Sequence, residues 1–338
     1  MIRIPILHGK AVKDHILFII GGVMHLAVII IITVLAAVLA ALISFTIKLV
    51  NFAFVSPEKK HMTEESMLEV RKKQMPKYAD VFTEACERLE EMPSEKVEIR
   101  SRDGLRLRGE FFPNPENRGT VVMMHGFRSS PHADMSPICG FYYSLGFSLL
   151  LPCQRAHCAS EGKYLTFGAK ERFDCADWAK YASDRSDGAP VVLDGVSMGA
   201  ATVIASVSAG LPQSVKCIVA DCGYTSPYEE FKHVLKHYVH MPRFPIFYLF
   251  AAACRLICGF SIKDFDNREI LKSCDLPVLF VHGEKDALVP FSMSLENYEA
   301  CASEKKLISV PEADHGESYL VDRSGCEKEL RDFLDKYA

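Results

Sequence analysis

The stretch Val191–Ala209, VVLDGVSMGAATVIASVSA, determines how the rest of the chain can fold. It begins with three aliphatic residues, as does a strand that is buried on both faces. Gly195 and Gly199 flank Ser197 at two residues on either side, and larger side chains at those positions would collide with a strand or helix beside a sharp turn. The small residues that follow are typical of a helix packed closely on a sheet. The pattern therefore predicts a strand, a tight turn that carries an exposed serine, and a helix.

Composition and charge restrict the class of protein. The chain has 338 residues, of which 49% are hydrophobic, and a net charge of −4. This length suits one mid-sized domain with an appendage. Its Lys and Arg residues are scattered and give no basic excess for binding phosphates, so we expect no nucleic-acid partner.

The appendage is the N-terminus, residues 1–55. Leu26–Ile47 is a run of 22 residues without a charge, enough to cross about 30 Å of hydrocarbon. A cleaved signal peptide would have an apolar core of only about 7 to 15 residues and a small-residue cleavage site. We therefore expect one transmembrane helix, a single-pass location in the cell membrane, and the lipid bilayer as a partner.

The sequence does not assign the side of the membrane on which the remaining chain lies. Three cations precede the span and three follow it, so the positive-inside rule is tied: Arg3, Lys10 and Lys13, then Lys48, Lys59 and Lys60. Twelve cysteines are dispersed without a Cys-x-x-Cys pair, which favours reduced core thiols over a zinc or redox motif. Such a composition suits a reducing compartment or an anaerobic exterior alike.

Residues 56–94 are polar and charged, with apolar positions at helical spacing, and are predicted to form a helical stalk. From residue 95 to residue 338, a hairpin with an Asp-Gly turn is followed by alternating strands and helices, which predicts a mostly parallel sheet covered on both faces. Two helical segments interrupt the alternation at about residues 224–265 and predict an inserted cap. The predicted strands are Lys96–Arg100, Leu105–Phe112, Thr120–Met124, Phe147–Leu151, the strand that begins at Val191, Val215–Asp221, Val278–His282 and Lys306–Val310, and Ser318–Tyr337 is predicted as a closing helix.

Two further reactive groups follow later strands. Asp286 comes after Val278–His282, and His315 comes after the last predicted strand. The carboxyl ends of parallel strands meet at one edge of the sheet, where an active site is expected. A serine hydroxyl needs a base to take its proton, and the base needs a carboxylate to hold its tautomer. The order Ser197, Asp286, His315 therefore predicts a catalytic triad.

Other residues compete for these roles. Glu284 and Asp314 are alternative acids, but Asp314 adjoins the histidine in sequence and is poorly placed to reach its ring, so Asp286 is preferred. His125 and His282 each precede a glycine at a strand end and are expected to brace loops. The chemistry needs no cofactor and no metal.

Six motifs together resemble the α/β-hydrolase family, in its bacterial membrane-anchored branch similar to serine aminopeptidase-like and esterase-like hydrolases. The resemblance extends over about Lys96–Tyr337 and implies an α/β-hydrolase fold: a mostly parallel sheet with helices on both faces and a helical cap. The motifs are MMHGF (Met123–Phe127), QRAHCASEGKYLTFG (Gln154–Gly168), GVSMGAATV (Gly195–Val203), DCGYTSP (Asp221–Pro227), HGEKDALVP (His282–Pro290) and ADHGESY (Ala313–Tyr319).

The resemblance also implies roles for individual residues. It matches the triad to the same serine, aspartate and histidine, and the oxyanion hole to the backbone amides of Phe127 and Met198. Two positions depart from the family pattern, because Cys153 and Cys158 stand where the family usually has Asp and Gly. These residues shape a loop beside the site, so the departure concerns the conformation of that loop.

The leading hypothesis is a membrane-anchored serine hydrolase, carboxylesterase- or lipase-like, that cleaves an ester or thioester through an acyl-enzyme. A serine peptidase of the aminopeptidase-like kind, acting on short peptides, is the alternative within the enzyme class, because a fold does not decide the substrate. A non-catalytic, membrane-tethered binding module is the alternative from another class, and the complete triad disfavours it. The expected substrate is a small molecule, an acyl compound or a peptide.

Overall fold

The computed structural model describes residues 9–56, 63–240 and 243–338. The chain divides after Leu49 into two compact units. The first unit is most of helix α1 (Gly9–Phe54), which has 46 residues and is long and apolar enough to cross a membrane. The hydroxyl of Thr33 donates to the carbonyl of Ile29, 2.8 Å away, so this polar group is satisfied within the helix.

The second unit begins at Val50 and contains eight strands that form a single sheet. They are β1 (Glu95–Arg100), β2 (Arg106–Phe112), β3 (Gly119–Met124), β4 (Phe147–Pro152), β5 (Val191–Val196), β6 (Val215–Asp221), β7 (Val278–Gly283) and β8 (Lys305–Val310). Their order is β1-β2-β4-β3-β5-β6-β7-β8. β2 is antiparallel to β1 and to β4, and all other neighbours are parallel. The predicted mostly parallel sheet is confirmed.

Helices cover both faces of this sheet. The α-helices described in the second unit are α2 (Glu64–Gln74), α3 (Ala79–Glu90), α4 (Pro131–Ser144), α5 (Glu171–Arg185), α6 (Met198–Ala205), α7 (Pro227–His237), α8 (Tyr248–Cys258), α9 (Asn267–Leu271), α10 (Phe291–Ala300), α11 (Ser318–Val321) and α12 (Arg323–Tyr337), and several of them pack on the sheet. On one face, α3, α4 and α12 bury residues such as Phe333 against Met123. On the other face, α5 and α6 bury Trp178 and Val203 against Val122. Every residue of β3, β4 and β7 is buried, which explains why these strands are continuous apolar runs.

Helices α4, α9 and α10 were not predicted, and the predicted closing helix is divided in two. Helix α4 was not predicted, because Pro131 and Pro137 weaken the helical pattern; Pro131 occupies the first turn, where a missing N–H is tolerated, after Ser130 has capped the helix. The predicted helix Ser318–Tyr337 is divided at Asp322, whose carboxylate accepts a hydrogen bond of 3.0 Å from the Gly325 amide and so starts α12.

The segment expected to be a stalk contains α2 and α3, and both pack on the second unit; residues 57–62 of that segment lie outside the described residues. Phe82, Cys86 and Leu89 of α3 are buried, and the Cys86 Sγ lies 3.3 Å from the Ser136 Oγ in α4. An apolar stripe at this spacing must be covered by another apolar surface. Residues 63–90 therefore form a wall of the sheet-containing unit and do not stand apart from it.

The last turn of α1 also belongs to the second unit, where Phe54 fixes it. The Phe54 ring is fully buried and packs against four aromatic rings at centroid distances of 5.1 to 5.7 Å: Phe167, Phe231, Phe250 and Phe260. The Phe54 carbonyl accepts a hydrogen bond of 2.8 Å from the Leu165 amide. In contrast, the Phe52 side chain is 72% exposed.

We predict that Phe54→Ala lowers the free energy of unfolding by about 3–5 kcal/mol, because it leaves a cavity among aromatic rings. Phe52→Ala is the matched control and should cost less than about 1 kcal/mol, since its ring is exposed and loses only the cation–π contact with Arg128. Denaturant unfolding of the full chain in detergent measures both. Equal losses would show that the buried cluster does not hold this turn.

Candidate active site

Ser197 lies between β5 and α6 with φ 57° and ψ −117°, a conformation that residues with side chains adopt at a cost in strain. A Cβ atom at Gly195 or at Gly199 would overlap the neighbouring backbone. The Ser197 amide donates to the Asp221 carbonyl at 2.8 Å, which ties the turn to β6. The two glycines are thus required by space, as the sequence spacing predicted.

The structure brings the three predicted triad residues into one chain of hydrogen bonds. The His315 Nε2 lies 2.9 Å from the Ser197 Oγ, and the His315 Nδ1 lies 2.7 Å from the Asp286 Oδ2. A carboxylate can only accept, so Nδ1 carries the proton and Nε2 is free to accept from the serine hydroxyl. This is the arrangement that general-base activation of a serine needs.

Asp286 is buried and held from both sides. Its Oδ1 accepts hydrogen bonds from the amides of Leu288 and Val289 at 3.0 and 2.8 Å. Burial raises the pKa of the Asp286 carboxyl, but hydrogen bonds from His282 and His315 outweigh it and lower the pKa to about 2. The carboxylate is therefore ionised throughout the physiological range.

The competing acids lie elsewhere. Glu284 is exposed, and the Asp314 Oδ1 accepts from the backbone amide of His315 at 2.7 Å. His125 braces a loop, as expected: its Nδ1 donates to the Gly126 carbonyl at 2.8 Å, and its Nε2 accepts from the Gln154 amide at 3.1 Å.

His282 does more than brace a loop, which the sequence did not indicate. Its Nε2 lies 3.1 Å from the Asp286 Oδ2 and 2.9 Å from the Val289 carbonyl. Two acceptors at Nε2 place the proton on that nitrogen, so the Ser294 hydroxyl, 2.6 Å from Nδ1, donates to the ring. A second histidine thus fixes the orientation of Asp286.

The loop that contains Phe127 is held beside the serine by Asp134 of α4. The Gly126 amide and the Ser129 hydroxyl donate to the Asp134 carboxylate at 2.7 and 2.6 Å, and Arg71 of α2 forms an ion pair with it. Met198, the other residue whose amide is predicted to bind an oxyanion, is the first residue of α6. Asp134 and Arg71 do not belong to a recognisable sequence motif. Only the fold shows that Asp134 binds this loop and that Arg71 pairs with Asp134.

A cavity of about 460 Å³ opens at Ser197 and His315. Its walls come from α2, α3, α4, α11 and α12 and from the strand ends. No described residue of α7 or α8 lines it. The lining is largely apolar and includes Met67, Phe82, Met135, Ile138, Leu320 and Leu330.

Several charged or titratable groups interrupt the apolar lining of this cavity, among them Arg71, Asp194 and Asp221. Burial lowers the pKa of the Arg71 guanidinium to about 10, so it stays charged. Burial raises the pKa of the Asp194 carboxyl to about 7 and that of the Asp221 carboxyl to about 6. In both groups burial favours the neutral carboxylic acid over the carboxylate.

Several known proteins are similar to this chain in sequence or in structure. Residues 194–315 match the serine hydrolase family FSH1. The protein YqkD of Bacillus subtilis (strain 168) is 23% identical over 76% of this chain and 83% of its own length. YNL320W of Saccharomyces cerevisiae, named a membrane protein, is 23% identical over 72% of this chain and 80% of its own. The esterase Pf2001 of Pyrococcus furiosus is 25% identical, with a TM-score of 0.60 over 73% of this chain and 92% of that one.

Fold, site and comparisons agree. The sheet has an antiparallel hairpin at one edge and parallel strands elsewhere. A serine on a strained turn follows a central strand, a histidine from a later loop contacts it, and an aspartate from another loop contacts the histidine. This chain therefore has the α/β-hydrolase fold, and over residues 194–315 it is similar to the serine hydrolase family FSH1.

Proposed function

We propose that the protein is a membrane-anchored serine hydrolase that cleaves carboxylic esters or thioesters. The observation that carries the proposal is the hydrogen-bond chain from the Ser197 Oγ through His315 to Asp286, at 2.9 and 2.7 Å. The similarity to the Pyrococcus furiosus esterase supports the same reaction class.

In the proposed reaction the Ser197 Oγ attacks the carbonyl carbon while its proton passes to the His315 Nε2. Asp286 stabilises the imidazolium that forms, and the amides of Phe127 and Met198 stabilise the oxyanion of the tetrahedral intermediate. The intermediate collapses when His315 returns the proton to the leaving alcohol or thiol, and the acyl group stays on the serine. Water, activated by His315, then attacks the acyl-enzyme and releases the acid.

The cavity supports an acyl substrate. Its volume of about 460 Å³ falls in the range of roughly 300–1,000 Å³ that is usual for small-molecule sites. Apolar side chains supply most of the wall, which suits an alkyl or aryl group better than a strongly polar one.

We also propose that α1 anchors the enzyme, with residues 1–55 as the membrane segment, 56–94 as the helical segment that follows, and 95–338 as the hydrolase domain with its cap at 224–265. The length and composition of α1 support a single crossing. The yeast relative YNL320W is named a membrane protein, which supports a membrane location for this chain as well.

A fluorophosphonate probe should label the full-length protein at Ser197, because the reagent reacts with a serine activated by a histidine. Ser197→Ala should abolish the label, and Ser208→Ala, just beyond α6, should not. Gel fluorescence and peptide mass spectrometry read the result. A folded wild-type protein that binds small acyl ligands but takes no label would instead indicate a binding module.

Asp286→Asn should lower kcat by on the order of 10⁴-fold with the fold retained, because the imidazole would be held in the wrong tautomer. Glu284→Gln, two residues away and exposed, is the matched control and should leave kcat nearly unchanged. Ester hydrolysis and circular dichroism give the two readouts. Similar losses in both variants would contradict the assignment of Asp286 as the acid.

The substrate class is tested with p-nitrophenyl esters of increasing chain length and with aminoacyl p-nitroanilides. We expect kcat/KM to be higher for the esters, and to rise with chain length until the cavity is filled, since each buried methylene adds about 0.8 kcal/mol. Higher values for the anilides would favour the peptidase alternative and contradict the ester assignment.

A further inference from the structure

A second cavity, of about 670 Å³, lies away from the triad residues, between the start of α2, the β1–β2 hairpin and the loop after β4. Glu64, Cys153 and Cys158 line it. One ligand atom from each of these residues, a carboxylate oxygen and two sulfur atoms, lies within 4.8 Å of the other two. The two cysteines are those that depart from the family pattern.

This spacing is close to that of a zinc site. Zn–S bonds are about 2.3 Å and Zn–O bonds about 2.0–2.2 Å, so two ligand atoms of one tetrahedral ion lie roughly 3.5–3.8 Å apart. The three ligand atoms, which lie within 4.8 Å of one another, would have to approach by up to about 1 Å to bind one ion. Two sulfur ligands and one oxygen ligand, with a fourth position for water, form a donor set that suits Zn²⁺ better than Mg²⁺ or Ca²⁺.

The backbone at Cys158 is a separate observation. Its φ is 38°, in the left-handed region where glycine is unstrained and other residues are uncommon. A side chain kept at such a position signals a possible functional constraint. Here the strained residue is one of the cavity-lining cysteines, and its side chain is buried.

The carboxylate of Glu64 is already oriented. Its Oε2 accepts a hydrogen bond of 3.2 Å from the His132 amide, the kind of outer contact that usually fixes a metal-binding carboxylate. The carboxylate of the neighbouring Glu110 is bound to other side chains and is not part of the proposed ligand set. Ser94, Lys96 and His132 contact it at 2.6, 2.6 and 3.0 Å.

We propose that Glu64, Cys153 and Cys158 bind one Zn²⁺ ion. Binding displaces the two thiol protons to solvent, so two thiolates and one carboxylate surround the dication. The ion would join the first turn of α2 to the loop after β4. Since Met67 and Arg71 of α2 line the cavity at Ser197, zinc would stabilise one wall of the active site without taking part in ester cleavage.

The test uses the full-length protein in detergent, freed of metal with a chelator. Zn²⁺ is titrated against a chromophoric competitor, and Co²⁺ is added as a spectroscopic substitute. We expect one Zn²⁺ per chain and a sulfur-to-cobalt charge-transfer band. Cys153→Ser and Cys158→Ser should each weaken Zn²⁺ binding by at least about 100-fold, and Glu64→Gln by about 10-fold or more. Cys274→Ser and Glu65→Gln, outside the cluster, are the matched controls and should bind as the wild type does.

A second measurement does not depend on the variants being folded. In the wild type, Zn²⁺ should slow the alkylation of Cys153 and Cys158 by iodoacetamide and leave that of Cys274 unchanged, as read by peptide mass spectrometry. The proposal is overturned if Zn²⁺ gives no protection, if bound Co²⁺ lacks the thiolate band, or if the purified protein carries a Cys153–Cys158 disulfide. None of these outcomes depends on the hydrolase activity.

Discussion

The strained backbone at Ser197 is the constraint on which the rest of the structure depends. A residue held at positive φ costs of order 1–3 kcal/mol and persists only where its surroundings over-determine it. Here β5 lies between β3 and β6 in the sheet, the serine amide is bound to the end of β6, and Gly195 and Gly199 leave room for close packing. The centre of the sheet thus supports the half-buried serine.

The loop opposite the serine is held by α4 and by two segments that precede the sheet in sequence, α2 and the end of α1. Asp134 binds the loop from α4, Arg71 reaches the same carboxylate from α2, and Arg128 in the loop donates to the carbonyls of Phe52 and Val55 at the end of α1. The geometry around the predicted oxyanion amides therefore depends on residues 50–90 as well as on the hydrolase sheet.

The sequence sufficed for features whose signal is local. The hairpin follows from an Asp-Gly turn, the parallel strands from apolar runs, and Ser197, Asp286 and His315 from their places after strands. It did not suffice where a contact joins distant elements. The apolar stripe of α3 shows that a partner exists, but not that α4 is the partner. Nothing near Asp134 in the sequence indicates that it holds the loop that contains Phe127, and nothing near His282 indicates that it holds Asp286.

If α1 anchors the chain as proposed, the burial of Phe54 determines where a cut could release the second unit. Proteolytic shedding normally cuts an exposed segment between an anchor and its ectodomain. Here the residues directly after the helix pair with residues 163–165, and Phe54 lies inside an aromatic cluster. A cut just beyond Ser56 would leave that ring in place and the two fragments associated. Release of the intact second unit would require cleavage before Val50, within the apolar helix itself, so a cut after the helix would not free it.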